Sequence, residues 1–218
     1  MVARETVGLR KKNTGVRKRG KERREQLIKA AYDLLCEQPV EAIAFIDIAK
    51  RAAIPEGSAY HFFSNKYDVF SALAEELTEE FIISLKRPFR KDQITSWQDL
   101  ADQFVKRGIR VYRNNPPAGQ LFLGGKTPPE IKLQDRLNDR AVAEAMLDVL
   151  NEHFVLPDIP NFQNILYYFI EITDLMLSLS ILENGKITGE MIEEAQRAGR
   201  GYLSSHLPEN LVKRRRTA

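Results

Sequence analysis

The chain has 218 residues, of which 43% are hydrophobic and 29% charged, a composition typical of a soluble globular protein long enough to bury a core. The chain contains no run of about 18 uninterrupted apolar residues, which a membrane span would need. The basic N-terminus is not followed by the apolar segment that a secretory signal requires. The single cysteine, Cys36, excludes an internal disulfide and a cysteine-based zinc site, so a reducing cytoplasm fits best.

The net charge of +3 hides an uneven distribution of charge along the chain. Residues 1–66 carry 14 basic and 8 acidic side chains, whereas residues 67–212 carry 15 basic and 22 acidic ones. A basic first part followed by an acidic remainder indicates that the first part meets a polyanion. Lipid headgroups fit less well, because no basic amphipathic helix with a wide apolar face is found there.

The first predicted elements are a basic arm and a helix. Residues 1–20 hold seven Lys/Arg, one Glu and three glycines with almost no periodicity, which predicts a flexible arm. From Lys21 the pattern becomes helical, and Pro39 ends it because the residue before a proline is pushed out of the α region. The apolar stripe of this helix consists of Leu27, Ile28, Ala31, Leu34 and Leu35.

Two short helices follow, and then a longer one. Segment 45–54 has its apolar residues on one face, and segment 55–63 opens with a proline suited to a helix start. Residues 65–87 form a longer amphipathic helix. Two short helices joined by a tight turn predict a helix-turn-helix unit.

The remainder of the chain also predicts helices, separated by glycine and proline breakers. No alternating strand pattern is found, so the expected fold class is all-α, with an N-terminal three-helix helix-turn-helix domain and a larger helical domain. The remaining predicted helices cover residues 95–114, 117–123, 129–155, 161–184 and 188–206. The predicted division of the chain is an arm at 1–20, a helix-turn-helix domain at 21–66, a helical domain at 67–212 and a basic tail at 213–218.

The stretch GSAYHFFSNK joins aromatic side chains, a histidine and a lysine, and three interpretations of it compete. Core packing fits Phe63, which shares a helix face with Ala59. A metal or catalytic site lacks companions, because the other histidines are distant in sequence and show no ligand spacing. Contact with phosphate fits Tyr60, His61 and Lys66, whose side chains all carry donors that suit phosphate oxygens.

This stretch also carries a resemblance to a known family. Residues 21–70 resemble the DNA-binding domain of the TetR family of bacterial transcriptional regulators, most recognisably in GSAYHFFSNKYDVF. IDIAKRAAI (46–54) is similar to the second helix of that family, and LIKAAYDLLCEQ (27–38) to its first. Beyond residue 70 the resemblance is one of helix layout and length only.

The resemblance implies a set of DNA contacts. The positions near base edges are Gly57, Ser58 and Ala59, and those that meet phosphates are Tyr60, His61 and Lys66. Glu56 either accepts from cytosine N4 in the major groove or stays in solvent. The basic arm, ending in Arg17, Lys18 and Arg19, either reaches phosphates or a minor groove or is a solubilising tail.

The sequence departs from the family pattern at several positions. Pro39 stands where the family usually carries a helix-ending glycine. Ile43 and Ala44 replace the usual hydroxyl residues that open the second helix, which removes an N-cap worth about 1 kcal/mol. Ala53 replaces a common turn glycine. These departures bear on the contacts with DNA rather than on the fold.

The larger domain is expected to bind a ligand and to dimerise. Helix 161–184 is apolar on most sides, and the resemblance implies that it pairs, together with helix 188–206, with a second copy of the chain. The further interface candidates are Tyr202, Leu203 and Leu207. Aromatic walls with a few polar groups predict a small-molecule pocket. The candidate lining residues are Trp97, Phe104, Tyr112, Phe122, Asn138, Met146, Tyr168 and Asp174.

These features together predict a homodimeric, sequence-specific DNA-binding regulator without a metal or cofactor. The chain is expected to act as a repressor that a small, largely apolar effector releases from a palindromic operator. Helix 65–87 is expected to link the DNA-binding domain to the effector pocket. The alternative is an architectural or cell-division DNA-binding protein of the same fold without a ligand. An enzyme is not expected, because Cys36 has no histidine near it in sequence and no Gly-rich phosphate loop is found.

Overall fold

The computed structural model describes residues 9–89, 94–125 and 127–214, with side chains from Lys18 onward. These residues form two compact units, the first ending at Leu73 and the second beginning at Ala74. Both units are built from helices, so the predicted all-α fold class is confirmed.

The first unit contains one long helix, two short helices and the start of a fourth. In chain order these are α1 (Leu9–Glu37), a 3₁₀ turn (Val40–Ala42), α2 (Phe45–Arg51), α3 (Glu56–Ala59) and α4 (Lys66–Lys86). α4 continues past Leu73 and so belongs to both units. α2, the turn after it and α3 form the predicted helix-turn-helix.

Helix α1 begins well before its predicted start. The sequence indicates an irregular arm up to residue 20, whereas residues 9–20 belong to α1. Lys and Arg are good helix formers, and no proline interrupts the chain before Pro39. Residues 1–8, the rest of the predicted arm, lie outside the described part of the chain.

The core of the first unit is made by the apolar stripe of α1, as predicted. Leu27, Ile28, Ala31, Leu34 and Leu35 are each at most 5% exposed. Other residues of this core include Ile48, Ala49, Ala59, Phe63, Val69 and Phe70. Because α2 and α3 are too short to be stable alone, this packing holds them in position.

The second unit contains five further α-helical segments. They are α5 (Trp97–Asn114), α6 (Pro116–Ala118), α7 (Pro129–His153), α8 (Phe162–Asn184) and α9 (Gly189–Ser204). α6 is a single turn that continues into a π-helical turn, Gly119–Leu123. Ser96 caps α5 by accepting a hydrogen bond from the Asp99 N–H at 3.1 Å, and Thr188 caps α9 by accepting from the Met191 N–H at 3.3 Å.

One pair of short strands lies at the end of α7, and the sequence did not predict it. β1 (Phe154–Val155) pairs antiparallel with β2 (Val212–Lys213), with Phe154 opposite Lys213. The helix predicted over 129–155 therefore ends at His153. Two-residue strands are too short to show alternation, which is why no pattern indicated them.

Helices α8 and α9 pack so closely that one position between them requires glycine. A Cβ added to Gly199 would lie 2.5 Å from the Phe169 ring and 3.0 Å from the Thr173 methyl carbon. Such distances lie below van der Waals contact, so a side chain at 199 would push the two helices apart.

Helix α8 is long and apolar enough to cross a membrane by length and composition alone. Core helices of soluble proteins meet the same criterion. Phe162, Leu166 and Phe169 are buried in the unit, whereas Leu175 and Leu182 on the same helix are 59% and 73% exposed.

Candidate nucleic-acid interface and internal cavity

The surface around α3 presents most of the residues expected to contact DNA. Glu56, Gly57, Tyr60 and His61 are exposed, and Ser58 is half-buried. Ala59, expected near base edges, is fully buried. Its methyl group belongs to the core beneath the helix, because residue 59 is on the inward face together with Phe63; this corrects the expectation for Ala59.

Gly57 has no steric reason to be glycine within the described chain. A Cβ added there would have no neighbour within 4 Å, and the backbone is helical rather than left-handed. The absence of a side chain therefore leaves space on the outer surface of α3. This is the property needed where another backbone approaches the helix closely.

The Tyr60 ring is held in position while half of the residue remains exposed. It packs against the Phe45 ring with centroids 4.6 Å apart, and the residue is 50% exposed. The ring contact fixes the direction of the side chain, and the hydroxyl is a donor suited to phosphate. His61, the next residue, adds a second exposed donor.

Lys66 makes contacts that the sequence did not suggest. Its ammonium donates to the carbonyl oxygen of Ile43 at 2.7 Å and lies 3.5 Å from that of Val40. The lysine expected to meet the DNA backbone thus ties the start of α4 to the segment before α2. It fixes the geometry of the helix-turn-helix from within the unit.

The end of the predicted basic arm lies beside the same surface. A Cβ added to Gly20 in α1 would be 3.9 Å from the Phe62 ring, which places the basic end of α1 near the segment after α3. Lys18 and Arg19 are exposed there. The side chain of Arg17, the third expected contact, lies outside the described part.

The departures at Ala44 and Ala53 have structural consequences. The Asp47 carboxylate accepts a hydrogen bond from the backbone N–H of Ala44 at 2.9 Å, which is one half of a capping box. The other half is missing, because the Ala44 side chain cannot accept a hydrogen bond from the Asp47 backbone N–H. Ala53 has φ of 53°, a left-handed conformation in the turn between α2 and α3. A residue with a Cβ is strained in that region by about 1–2 kcal/mol.

The second unit contains an internal cavity of about 40 Å³. Four of the eight predicted ligand residues line it: Phe104, Tyr112, Phe122 and Asp174. This volume accepts a few water molecules and is far below the roughly 300–1,000 Å³ of pockets for drug-sized ligands. Only a small group fits unless the walls move.

The other four predicted ligand residues lie elsewhere. Trp97 and Met146 belong to the core, and the Trp97 indole donates to the Pro208 carbonyl at 2.9 Å. Asn138 donates to the Thr78 hydroxyl at 3.2 Å, next to the wall that Thr78 contributes. Tyr168 is 49% exposed on the surface of α8. Aromatic content alone did not distinguish a pocket wall from a core or a surface.

Two carboxylates in the cavity wall were not predicted from the sequence. Asp135 and Asp139 of α7 line the cavity and are only 4% and 9% exposed. They interrupt an apolar stripe that includes Ile131, Val142 and Met146, at helical spacing. Two acidic residues four apart within such a stripe are a signal that could have revealed them.

Burial dominates the electrostatics of these groups. It raises the pKa of Asp174 to about 7, and neighbouring Asp135 adds to the effect. Burial likewise raises the pKa of Asp135 to about 6, although Lys132 opposes the shift with an ion pair of 3.1 Å. The pKa of Asp139 is raised well above its usual value by burial and by the carboxylates of Asp135 and Asp174.

Tyr112 and Asp174, which both line the cavity, are joined by a hydrogen bond. The Tyr112 hydroxyl donates to the Asp174 carboxylate, with oxygen distances of 3.1 and 3.2 Å. Burial and the adjacent Asp174 raise the pKa of Tyr112 well above its usual value, so the phenol keeps its proton. The cavity therefore combines aromatic rings, one neutral phenol and three carboxyl groups.

Comparison with known proteins identifies both units. Residues 27–73 match the family model described as bacterial regulatory proteins, tetR family, and residues 95–207 match that described as Tetracyclin repressor-like, C-terminal domain. Together they span most of the chain. No curated protein sequence matches it.

Several solved structures are similar to this one in fold. A TetR-family transcriptional regulator from Streptomyces coelicolor aligns with a TM-score of 0.67 and 22% identity over 85% of this chain and 99% of its own. A TetR regulator from Rhodococcus sp. RHA1 aligns with a TM-score of 0.65 and 18% identity over 84% and 97%. The flavonoid-responsive regulator FrrA aligns with a TM-score of 0.52 and 18% identity over 86% and 98%.

Proposed function

The chain belongs to the TetR family of transcriptional regulators, which are DNA-binding proteins rather than enzymes, and on that premise we propose that it is a homodimeric repressor. In this proposal it binds a palindromic operator and leaves it when a small molecule enters the cavity of the second unit. One observation carries the proposal. α4 begins at the helix-turn-helix and then contributes Thr78 and Phe81 to the cavity wall.

The DNA-contacting part of the proposal rests on the exposed side of α3. Tyr60 and His61 contact phosphates, while Gly57 lets the helix approach the bases and Ser58 adds a small donor and acceptor. Lys18 and Arg19, in the N-terminal half of α1, extend the contact along the DNA backbone. Lys66 acts indirectly, by holding α4 against the carbonyl of Ile43.

Glu56 bears on the sequence preference of the operator. It is exposed at the first position of α3, where a carboxylate repels phosphate. The same carboxylate accepts a hydrogen bond from cytosine N4 in a major groove. In the proposal Glu56 therefore selects for cytosine in each half-site and discriminates against binding to random DNA.

Dimerisation is proposed through α8 and α9. Leu175, Leu182 and Tyr168 leave large apolar surfaces of α8 in solvent, and a second copy of the chain would bury them. Tyr202, half-buried on α9, remains an interface candidate. Leu203 and Leu207, also expected at the interface, are buried in the unit's own core and are excluded from it.

The proposed release is a population shift. A ligand bound preferentially by the conformer whose two recognition helices are badly spaced weakens operator binding only as far as its affinity for the two conformers differs. Successive major grooves are about 34–36 Å apart, so small changes in the spacing of two copies of α3 suffice. A regulator of this kind works in the cytoplasm, where its DNA is.

The stoichiometry on DNA tests this proposal against the architectural alternative. The chain would be mixed with a duplex carrying the palindrome that it selects, and the mass of the complex measured by native mass spectrometry. Two chains per duplex, with no further loading at excess protein, support a dimeric repressor. Progressive coating of the duplex supports an architectural protein instead.

A further inference from the structure

The charge of the cavity indicates what kind of molecule enters it, and this inference rests on the proposed function above. The described residues that line the cavity include Asp135, Asp139 and Asp174, but no lysine, arginine or histidine. Three carboxyl groups in one small apolar cavity repel one another and are costly to ionise there. Such an arrangement needs a compensating positive charge when the groups are ionised.

Asp139 is the clearest case of an uncompensated group. It is 9% exposed and lines the cavity. Within the described part of the chain it has neither a hydrogen bond nor an ion pair. Native proteins rarely bury a carboxyl group without a partner, so this group is available to a molecule that enters the cavity.

The basic residues of α7 closest in sequence to these carboxyls are already engaged. Arg140, next to Asp139, donates to the side-chain oxygen of Asn164 at 3.1 Å. The Lys132 ammonium donates to the Phe122 carbonyl at 2.6 Å and pairs with Asp135 at 3.1 Å. The Arg136 guanidinium pairs with Glu171, a fourth acid beside the cluster, at 3.5 Å. Asp139 and Asp174 are therefore left for a ligand, with the Tyr112 hydroxyl as the only donor to Asp174 among the described residues.

The rest of the wall suits an organic cation. Phe81, Phe104, Phe122 and Phe169 line the cavity together with Tyr112. The Phe81 and Tyr112 rings are stacked at 6.3 Å, and the Tyr112 and Phe122 rings meet at 65°. Aromatic faces attract ammonium groups, and the attraction grows when the cation is removed from water. The faces of phenyl rings offer no comparable attraction for an anion.

We propose that the effector is an organic cation, an amine or quaternary ammonium group on an apolar body. The charged group lies between Asp139 and Asp174, and the apolar body lies against the aromatic rings. Because the cavity measures about 40 Å³, the body enters by displacing a wall. Phe81 is the candidate, because it lines the cavity from α4, the helix that begins at the helix-turn-helix.

The raised pKa values of these carboxyls support the assignment through a second observable. Without a bound cation, Asp174, whose pKa burial raises to about 7, is partly protonated at neutral pH. A bound cation favours the ionised form and drives the proton off. Binding of the effector at pH 7 is therefore coupled to proton release, which an apolar ligand does not cause.

The experiment is calorimetric titration of the full chain at pH 7. Two cations are used as probes, choline and benzyltrimethylammonium, each beside an uncharged analogue in which carbon replaces the nitrogen or a hydroxyl replaces the ammonium group. Each titration is run in two buffers with different ionisation enthalpies, so that released protons are counted. Calcium chloride is titrated as a bare-ion control.

We expect at least one cation to bind about tenfold or more tightly than its uncharged analogue, with release of protons. Asp139→Asn and Asp174→Asn should each abolish most of that preference, and the exposed Asp158→Asn should leave it unchanged. The inference is overturned if the uncharged analogues bind as well as the cations, if calcium alone binds, or if neither cation binds up to about 10 mM.

The design separates this inference from the proposed function. Selection of a palindromic duplex by the same protein, without binding of a cation, would overturn the cationic effector and leave the dimeric repressor standing. Binding of a cation by a chain that selects no DNA sequence would overturn the dimeric repressor and leave the cation site standing.

Discussion

The ammonium of Lys66 lies 2.7 Å from the carbonyl oxygen of Ile43, which joins the first residue of α4 to the segment that opens α2. The side chain is half-buried, and a second carbonyl, that of Val40, lies 3.5 Å away. Family resemblance implies a phosphate contact for this residue. The observed bonds instead tie the start of α4 to the segment before α2, beside the surface that we propose to contact phosphates.

This support predicts a specific outcome for Lys66→Met. Two carbonyl oxygens lose a charged donor, so the first unit should lose about 1–3 kcal/mol of stability. The salt dependence of DNA binding should keep its slope, because no phosphate contact is removed. Thermal melting and binding isotherms at several salt concentrations check both parts. A slope shallower by about one unit with an unchanged melting temperature would contradict the account.

Gly57→Ala separates folding from DNA binding. The added methyl group has open space around it, and alanine favours a helix over glycine by about 1 kcal/mol, so stability should not fall. If α3 approaches DNA through this position, affinity for the selected duplex should fall about tenfold or more. Gly201→Ala, at an equally open site on α9, is the matched control and should leave affinity unchanged.

Ala53→Gly should stabilise the protein. At φ of 53° alanine is strained and glycine is not, which predicts a gain of about 1 kcal/mol. The adjacent Ala52 has φ of −74°, so Ala52→Gly should instead destabilise by about 0.5–1 kcal/mol. Melting temperatures of the two variants decide the matter. Destabilisation by both would show that the turn is not strained.

Gly199→Ala should disrupt the packing of α8 on α9. The new methyl group would meet the Phe169 ring at 2.5 Å, and overpacking of this kind costs about 1–3 kcal/mol. Gly201→Ala, two residues further on the same helix, meets nothing within 4 Å and serves as the control for helix propensity. Equal melting temperatures for the two variants would contradict the close approach.

Asp139→Asn should stabilise the protein in a pH-dependent way. Burial and neighbouring acids raise the pKa of Asp139, so the folded state favours its protonated form. Stability is therefore full below the unfolded pKa of about 4 and is lost as pH rises through the folded pKa. The Asn variant should therefore be more stable than the unmodified protein at pH 7.5, and by less at pH 5.

The control for that experiment is a carboxylate that lacks the buried, acidic surroundings of Asp139. Asp135, Asp174 and Glu171 raise its pKa, while Lys132 lowers it. Asp158→Asn, at an exposed carboxylate, should leave melting unchanged at both pH values. A gain of stability in Asp139→Asn that is the same at pH 5 and pH 7.5 would mean that the charge of Asp139 is not its cause.

Local sequence patterns predicted the helices well, because amphipathic spacing and proline or glycine breakers act over a few residues. Helix 65–87 was observed as Lys66–Lys86, and helix 161–184 as Phe162–Asn184. The start of α1 was missed, since charged side chains at the surface leave no periodic pattern.

Side-chain roles were harder to predict, because they depend on contacts between distant segments. Nothing local shows that Lys66 reaches the carbonyl of Ile43 or that Trp97 donates to Pro208. Asp135 and Asp139 were missed for a different reason. Aromatic residues occur in the core and on the surface as well as in the cavity wall, whereas acids within the apolar stripe of α7 are the more informative signal of a cavity.

The most direct test of the central claim is selection of bound duplexes from a random DNA pool, followed by affinity measurements against salt. A sequence-specific dimer predicts an enriched palindrome with half-sites one helical turn apart and a steep salt dependence. Salt-sensitive binding with no enriched sequence, or no binding at all, would contradict it.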